Sequence, residues 1–142
     1  MRGPGFRFRA PAGWNIDRVV TGVVARPAGG PQALVSVRVF TLRNPYHPSQ
    51  FALAARELDR VAAELVARSS AKLTERATAT VDGTRIRAYR FEARPANGRG
   101  YDARIGFLLQ GKREYELYCQ DAPGMGDADG ACALLFSSFG VV

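Results

Sequence analysis

Tyr101-Asp102-Ala103-Arg104-Ile105-Gly106-Phe107-Leu108-Leu109, then Gln110-Gly111-Lys112-Arg113, then Glu114-Tyr115-Glu116-Leu117-Tyr118-Cys119: this stretch decides the fold. In its first segment Tyr101, Ala103, Ile105, Phe107 and Leu109 recur at a period of two, the spacing of a β-strand. Tyr115, Leu117 and Cys119 repeat that spacing after the break. Gln110–Arg113 has the length and glycine content of a tight turn. The stretch reads as a long antiparallel hairpin. Asp102 and Glu116 are placed on the face opposite the Tyr101–Leu109 stripe, near Arg104, as a solvated surface with cross-strand ion pairs.

Upstream, Ala71–Val81 and Thr84–Arg94 are extended segments joined by Asp82-Gly83, a strong hairpin signal. Before them, Phe51, Leu58, Ala62 and Leu65 recur at helical spacing, which predicts an amphipathic helix from Ser49 to Arg68, capped by Ser49. Gln32–Leu42, with Ala33, Val35, Val37 and Val39 on one face, and the β-branched stretch Val19–Arg26 read as strands. The breaker cluster Pro27–Pro31 separates them. Phe6–Arg9 alternates as a short strand, behind a flexible lead-in over residues 1–5. Downstream, Asp121–Gly130 reads as a loop. Ala131–Phe139 reads as a short closing helix capped by Asp127 or Asp129. Strands joined by short turns, with helices segregated from them, give an α+β fold built on an antiparallel sheet, as a single domain over residues 1–142.

The chain has 142 residues, enough to bury roughly two-thirds of the surface of its unfolded form. Its hydrophobic fraction of 46% and charged fraction of 23% exclude a disordered tail or a fibre. No apolar run approaches the roughly 18 residues of a membrane-spanning helix. Lys+Arg total 20 against 13 Asp+Glu, a net charge of +7. Lys72 and Lys112 are the only lysines, so the excess is arginine, which a GC-rich genome also produces. The basic residues are scattered, which argues against a nucleic-acid arm and leaves a protein partner or an anionic surface.

His47, the only histidine, sits in the loop Pro45-Tyr46-His47-Pro48-Ser49, with no Gly-x-Ser-x-Gly element anywhere. No catalytic site, metal site or cofactor is expected. Gly124-Met125-Gly126-Asp127-Ala128-Asp129-Gly130 departs from dinucleotide-loop spacing, and in calcium-loop register it would put Met125 and Phe136 at ligand positions. Cys119 and Cys132 read as a staple between the hairpin and the last helix. Buried reduced thiols and a redox switch are the other readings. Arg85 and Arg87 share a face with Tyr89 and Phe91. With Arg104, Trp14, Tyr46 and His47 they form the expected binding face.

Several short elements come in a telling order: Pro11-Ala12-Gly13-Trp14 after a Phe-x-Phe strand, the long helix, Val81-Asp82-Gly83, the aromatic strand Tyr115-Glu116-Leu117-Tyr118-Cys119, and Ser137-Ser138-Phe139 near the end. In that order the chain resembles the Mog1/PsbP-like fold, and within it the small exported bacterial lipoprotein-type members. The resemblance implies an antiparallel sheet with helices on both faces, an α/β/α sandwich. It also implies a non-enzymatic binding or assembly role in the cell envelope. A cytosolic adaptor or chaperone, or a small-molecule-binding domain with a pocket between sheet and helix, are the alternatives. Met1–Gly5 carries no apolar signal-peptide core. An envelope location therefore implies a signal, or a lipid anchor, removed from this sequence; otherwise the chain is cytoplasmic.

Overall fold

The computed structural model describes residues 1–29, 33–96, 98–123 and 127–142. Its main sheet runs β3 (Asn15–Val19), β4 (Gly22–Arg26), β5 (Leu34–Tyr46), β8 (Tyr101–Asp121), β7 (Thr84–Ala93), β6 (Ala71–Val81), and the described pairings are antiparallel. Helix α1 (Phe51–Arg68) packs on β6 and β7. Helix α2 (Asp127–Ser138) packs on the other face, against β8 and β5. A second sheet joins β1 (Arg2–Gly3), β2 (Phe6–Arg7) and β9 (Gly140–Val141). The architecture is α+β, as the sequence predicts.

β8 is the hairpin expected from the sequence. It pairs with β7 through Tyr101–Phe107 and with β5 through Gly111–Gln120. Cys119 Sγ lies 3.7 Å from the carbonyl oxygen of Arg104, 15 residues away. An unbroken strand would hold them roughly 50 Å apart. The chain therefore folds back at Gly111, whose φ of +58° is the one positive value in the turn, the II′ pattern. At the other hairpin Asp82 and Gly83 both have positive φ, 50° and 73°, as a I′ turn requires.

The hairpin's faces differ from the sequence reading. With Arg104 beside Cys119, odd residues of one arm share a face with even residues of the other. Tyr115, Leu117 and Cys119 join Leu108, Val35, Val37 and Ile86 in the core under α2. Ala103, Ile105 and Phe107 join Leu58, Ala62, Val66, Tyr89 and Phe91 under α1, with Tyr118 packed against them. Glu116 therefore lies on the Ile105–Phe107 side, not beside Arg104. Both faces carry apolar residues because both are covered, so alternation alone does not identify a solvent side.

Other boundaries shift for local reasons. Val19–Arg26 is not one strand but the end of β3, a turn and β4. All of β3 is exposed, so it has no alternation to read. The lead-in takes part in the small sheet: Arg2–Gly3 pairs with Phe6–Arg7, and the Phe6 ring sits where a Cβ on Gly3 would stand. Ser49 does not cap α1. His47 caps a short 3-10 turn over Pro48–Gln50 that leads into the helix. The buried stripe of α1 is Leu58, Ala62 and Val66, with Leu65 turned outward at 40% exposure. α2 begins at Asp127, so Asp129 lies inside the helix rather than ahead of it. Residues 124–126 of the loop before it lie outside the described residues.

Cys119 and Cys132 are disulfide-bonded, with Cα atoms 5.6 Å apart. The bond ties α2 to the second arm of β8. Phe136 of α2 packs against Gly106, where a Cβ would come within 2.7 Å of the ring. Replacing both cysteines by alanine should cost about 3 kcal/mol, lowering Tm by about 10 °C. Thermal unfolding by circular dichroism measures this, and an unchanged Tm would mean that packing alone holds α2.

Candidate functional site

The six residues of the expected binding face do not assemble. Arg85, Arg87, Tyr46 and His47 belong to the α1 side, and Arg104 to the α2 side. Trp14 is partly buried against the α2-side core. The three arginines are used within the fold. Arg85 stacks over the Phe51 ring at 4.3 Å, and Arg104 over the Phe136 ring at 4.0 Å. Arg87 grips Asp59 of α1 through Nε at 2.9 Å and a terminal nitrogen at 3.2 Å.

Asp59 is the polar pin between helix and sheet. Besides Arg87 it accepts a hydrogen bond from the Tyr89 hydroxyl at 2.5 Å, and Arg76 lies 3.8 Å away. The Arg87 hydrogen bonds hold its carboxyl below the usual range, against the opposing effect of burial. Burial, then the Asp59 hydrogen bond, push the Tyr89 phenol up.

His47 has a local structural role. Its Nδ1 contacts the Ser49 hydroxyl at 2.8 Å and accepts from the Ser49 backbone N–H at 3.2 Å, while its own N–H donates to Gln50 Oε1 at 2.9 Å. That is a capping box. Tyr46 beside it has its phenol pushed up by burial and drawn down by the Arg85 charge.

The site that sequence reasoning missed lies on the same face as α1, beside it. α1 covers β6, β7 and the first arm of β8. A groove of about 410 Å³ opens over β4, β5 and the second arm of β8. Val61 and Leu65 of α1, Val24 and Leu34 of the sheet, and Ile105 and Phe107 give it apolar walls. Ser36, Glu116, Tyr118 and Gln120 add polar groups, with Arg26 and Arg38 at the sheet side. Arg38 stands opposite Glu116 in the β5–β8 register. Burial raises the Glu116 carboxyl, and Arg38 works against that rise. Glu114, two residues along, is raised by burial and by Glu116. The Tyr118 hydroxyl donates to Gln120 Oε1 at 2.5 Å, and burial pushes its phenol up. The available signal was Val61 and Leu65, one position off the buried stripe. Among the described residues no three His, Cys, Asp or Glu side chains gather as a metal site.

No protein-family model matches the sequence, and no curated protein matches it. Solved structures do match in shape. CyanoP, the cyanobacterial PsbP of Synechocystis sp. PCC 6803, superposes with a TM-score of 0.69 at 15% identity, over 97% of this chain and 87% of that one. LpqN of Mycobacterium tuberculosis, described as involved in cell envelope biogenesis, gives 0.60 at 10% identity over 96% and 83%. The fold is Mog1/PsbP-like. A Bacteroides thetaiotaomicron VPI-5482 protein matches at 0.66 and 11% identity, and this chain spans only 45% of its length. At these identities the likeness concerns the Mog1/PsbP-like fold alone.

Asp59→Asn should lower stability by about 1.5–3 kcal/mol at neutral pH, the range for hydrogen bonds to a charged group. The folded carboxyl is depressed, so its stabilisation is present above the unfolded value of about 3.9 and is lost as pH falls through the lower folded value. Urea melts of both proteins between pH 7 and pH 2 should converge at the acid end. A constant gap would show that the charge of Asp59 is not what stabilises the contact.

Proposed function

We propose that this chain is a non-enzymatic binding domain of the cell envelope and that it holds the apolar part of an amphiphilic ligand in the α1 groove. The observation that carries this reading is the groove itself. Its volume of about 410 Å³ is in the range of ligand sites, generally about 300–1,000 Å³. Apolar walls with a few polar groups suit a chain-like apolar body and a polar end. Val61 and Leu65 are 38% and 40% exposed, one position along from the packed stripe Leu58, Ala62 and Val66. Support for the compartment is separate: the Cys119–Cys132 bond suits an oxidising environment, and LpqN, of the same fold, is described in cell envelope biogenesis.

A fluorescent long-chain fatty acid, cis-parinaric acid, tests the groove. Leu65→Glu should weaken its binding at least tenfold by placing a charge on the apolar wall. Leu53→Glu, on an exposed position of the same helix that does not line the groove, should leave it unchanged. No saturable binding to the unmodified protein, or equal loss in both variants, would overturn the proposal.

A further inference from the structure

A second depression, of about 560 Å³, lies away from the groove, where the small sheet meets the end of α2. Arg2, Arg7 and Arg9 line it with Ser137 and Ser138, over Phe8 and Leu134. Arg2 and Arg7 are direct cross-strand partners, so two like charges stand on one face of the β1–β2 ribbon. Such a pair is unfavourable unless something neutralises it. Among the described residues no carboxylate lies within ion-pair distance of Arg2, Arg7 or Arg9. The nearby Asp82 carboxylate accepts the Val141 N–H at 3.0 Å and makes no ion pair with these arginines. This contrasts with Arg87 and Arg94, which are paired with Asp59 and Asp102.

The backbone around the depression is fixed. The Arg9 N–H donates to Ser138 Oγ at 2.8 Å, and the Ser138 hydroxyl donates to the Leu134 carbonyl at 2.5 Å. Arg18 of β3 donates to the Arg2 carbonyl at 3.0 Å. The C-terminal end of α2 carries a partial negative charge of roughly −0.5, which is unfavourable for an anion. Three full positive charges outweigh it.

We propose that this depression binds the phosphate group of an organic phosphate, with Arg2, Arg7 and Arg9 supplying the positive charge and the guanidinium donors. Arginine's planar fork matches phosphate oxygens two at a time, which a single point charge does not. The site is independent of the fatty-acid groove, and its failure would leave that reading intact.

The probes are phosphatidylglycerol vesicles, phosphatidylcholine vesicles and soluble glycerol 3-phosphate, each with the unmodified chain and with Arg7→Gln, Arg9→Gln and Arg56→Gln, the last an exposed arginine of α1 that lines neither the depression nor the groove. Binding is read by vesicle co-sedimentation and by calorimetry. Arg7→Gln and Arg9→Gln should each weaken binding about tenfold, Arg56→Gln should change it less than twofold, and added salt should weaken it. Binding to phosphatidylglycerol vesicles alone identifies a lipid headgroup as the source, and comparable binding of glycerol 3-phosphate identifies a soluble phosphate. Absence of binding to all three probes, or an equal effect of Arg56→Gln, overturns the proposal. So does a DNA oligonucleotide that binds more tightly than either phosphate probe and is insensitive to Arg7→Gln.

Discussion

The fold-back of β8 at Gly111, which brings Cys119 beside Arg104, joins the two halves of the sheet. The first arm continues the ladder into β7 and β6, and the second continues it into β5, β4 and β3. Both cores draw on the same hairpin. Leu108, Tyr115, Leu117 and Cys119 lie in the core under α2, and Ala103, Ile105 and Phe107 in the core under α1. A one-residue slip would send each set to the wrong face. Within the hairpin, Gly111 in the turn and Gly106 beneath Phe136 are the glycines where a side chain meets direct opposition, the first from φ and the second from the ring.

The groove follows from the widths of the elements. A helix with side chains is about 10–12 Å across, and strands are spaced about 4.8 Å apart, so one helix covers two or three strands. α1 is drawn to the β6–β7 side by Leu58, Ala62 and Val66 and is held there by Asp59 on Arg87 and Tyr89. The β4–β5 side of the same face is left with Val24, Leu34 and Ser36 facing Val61 and Leu65 across a gap. α2 covers the equivalent region on the other face, and the disulfide fixes it there. The asymmetry between a stapled helix on one face and an offset helix on the other gives this Mog1/PsbP-like domain its candidate site.

Much of the fold was legible in the sequence because its signals are local. Alternation marked β5 and β8, Asp82-Gly83 marked the turn between β6 and β7, and helical spacing marked α1. The small sheet was less legible, since its strands are two residues each and β9 gains its pairing from β2 across the length of the chain. The hairpin's facing was misread because a sheet covered on both sides has no polar face to orient it. The residues of the expected binding face are split between the two sides of the sheet for a related reason. Arg85, Arg87 and Arg104 look alike in sequence, yet the partners that occupy them, Phe51, Asp59 and Phe136, come from helices distant in the chain. The groove is an absence of cover, which no residue pattern states directly.

The proposed envelope location rests most heavily on the covalent link between Cys119 and Cys132. The most direct test is mass spectrometry of the protein taken from its native host, with thiols alkylated before and after reduction. The account predicts that neither cysteine is alkylated until reductant is added. Two thiols alkylated at once in unreduced material would contradict it and place the chain in a reducing compartment.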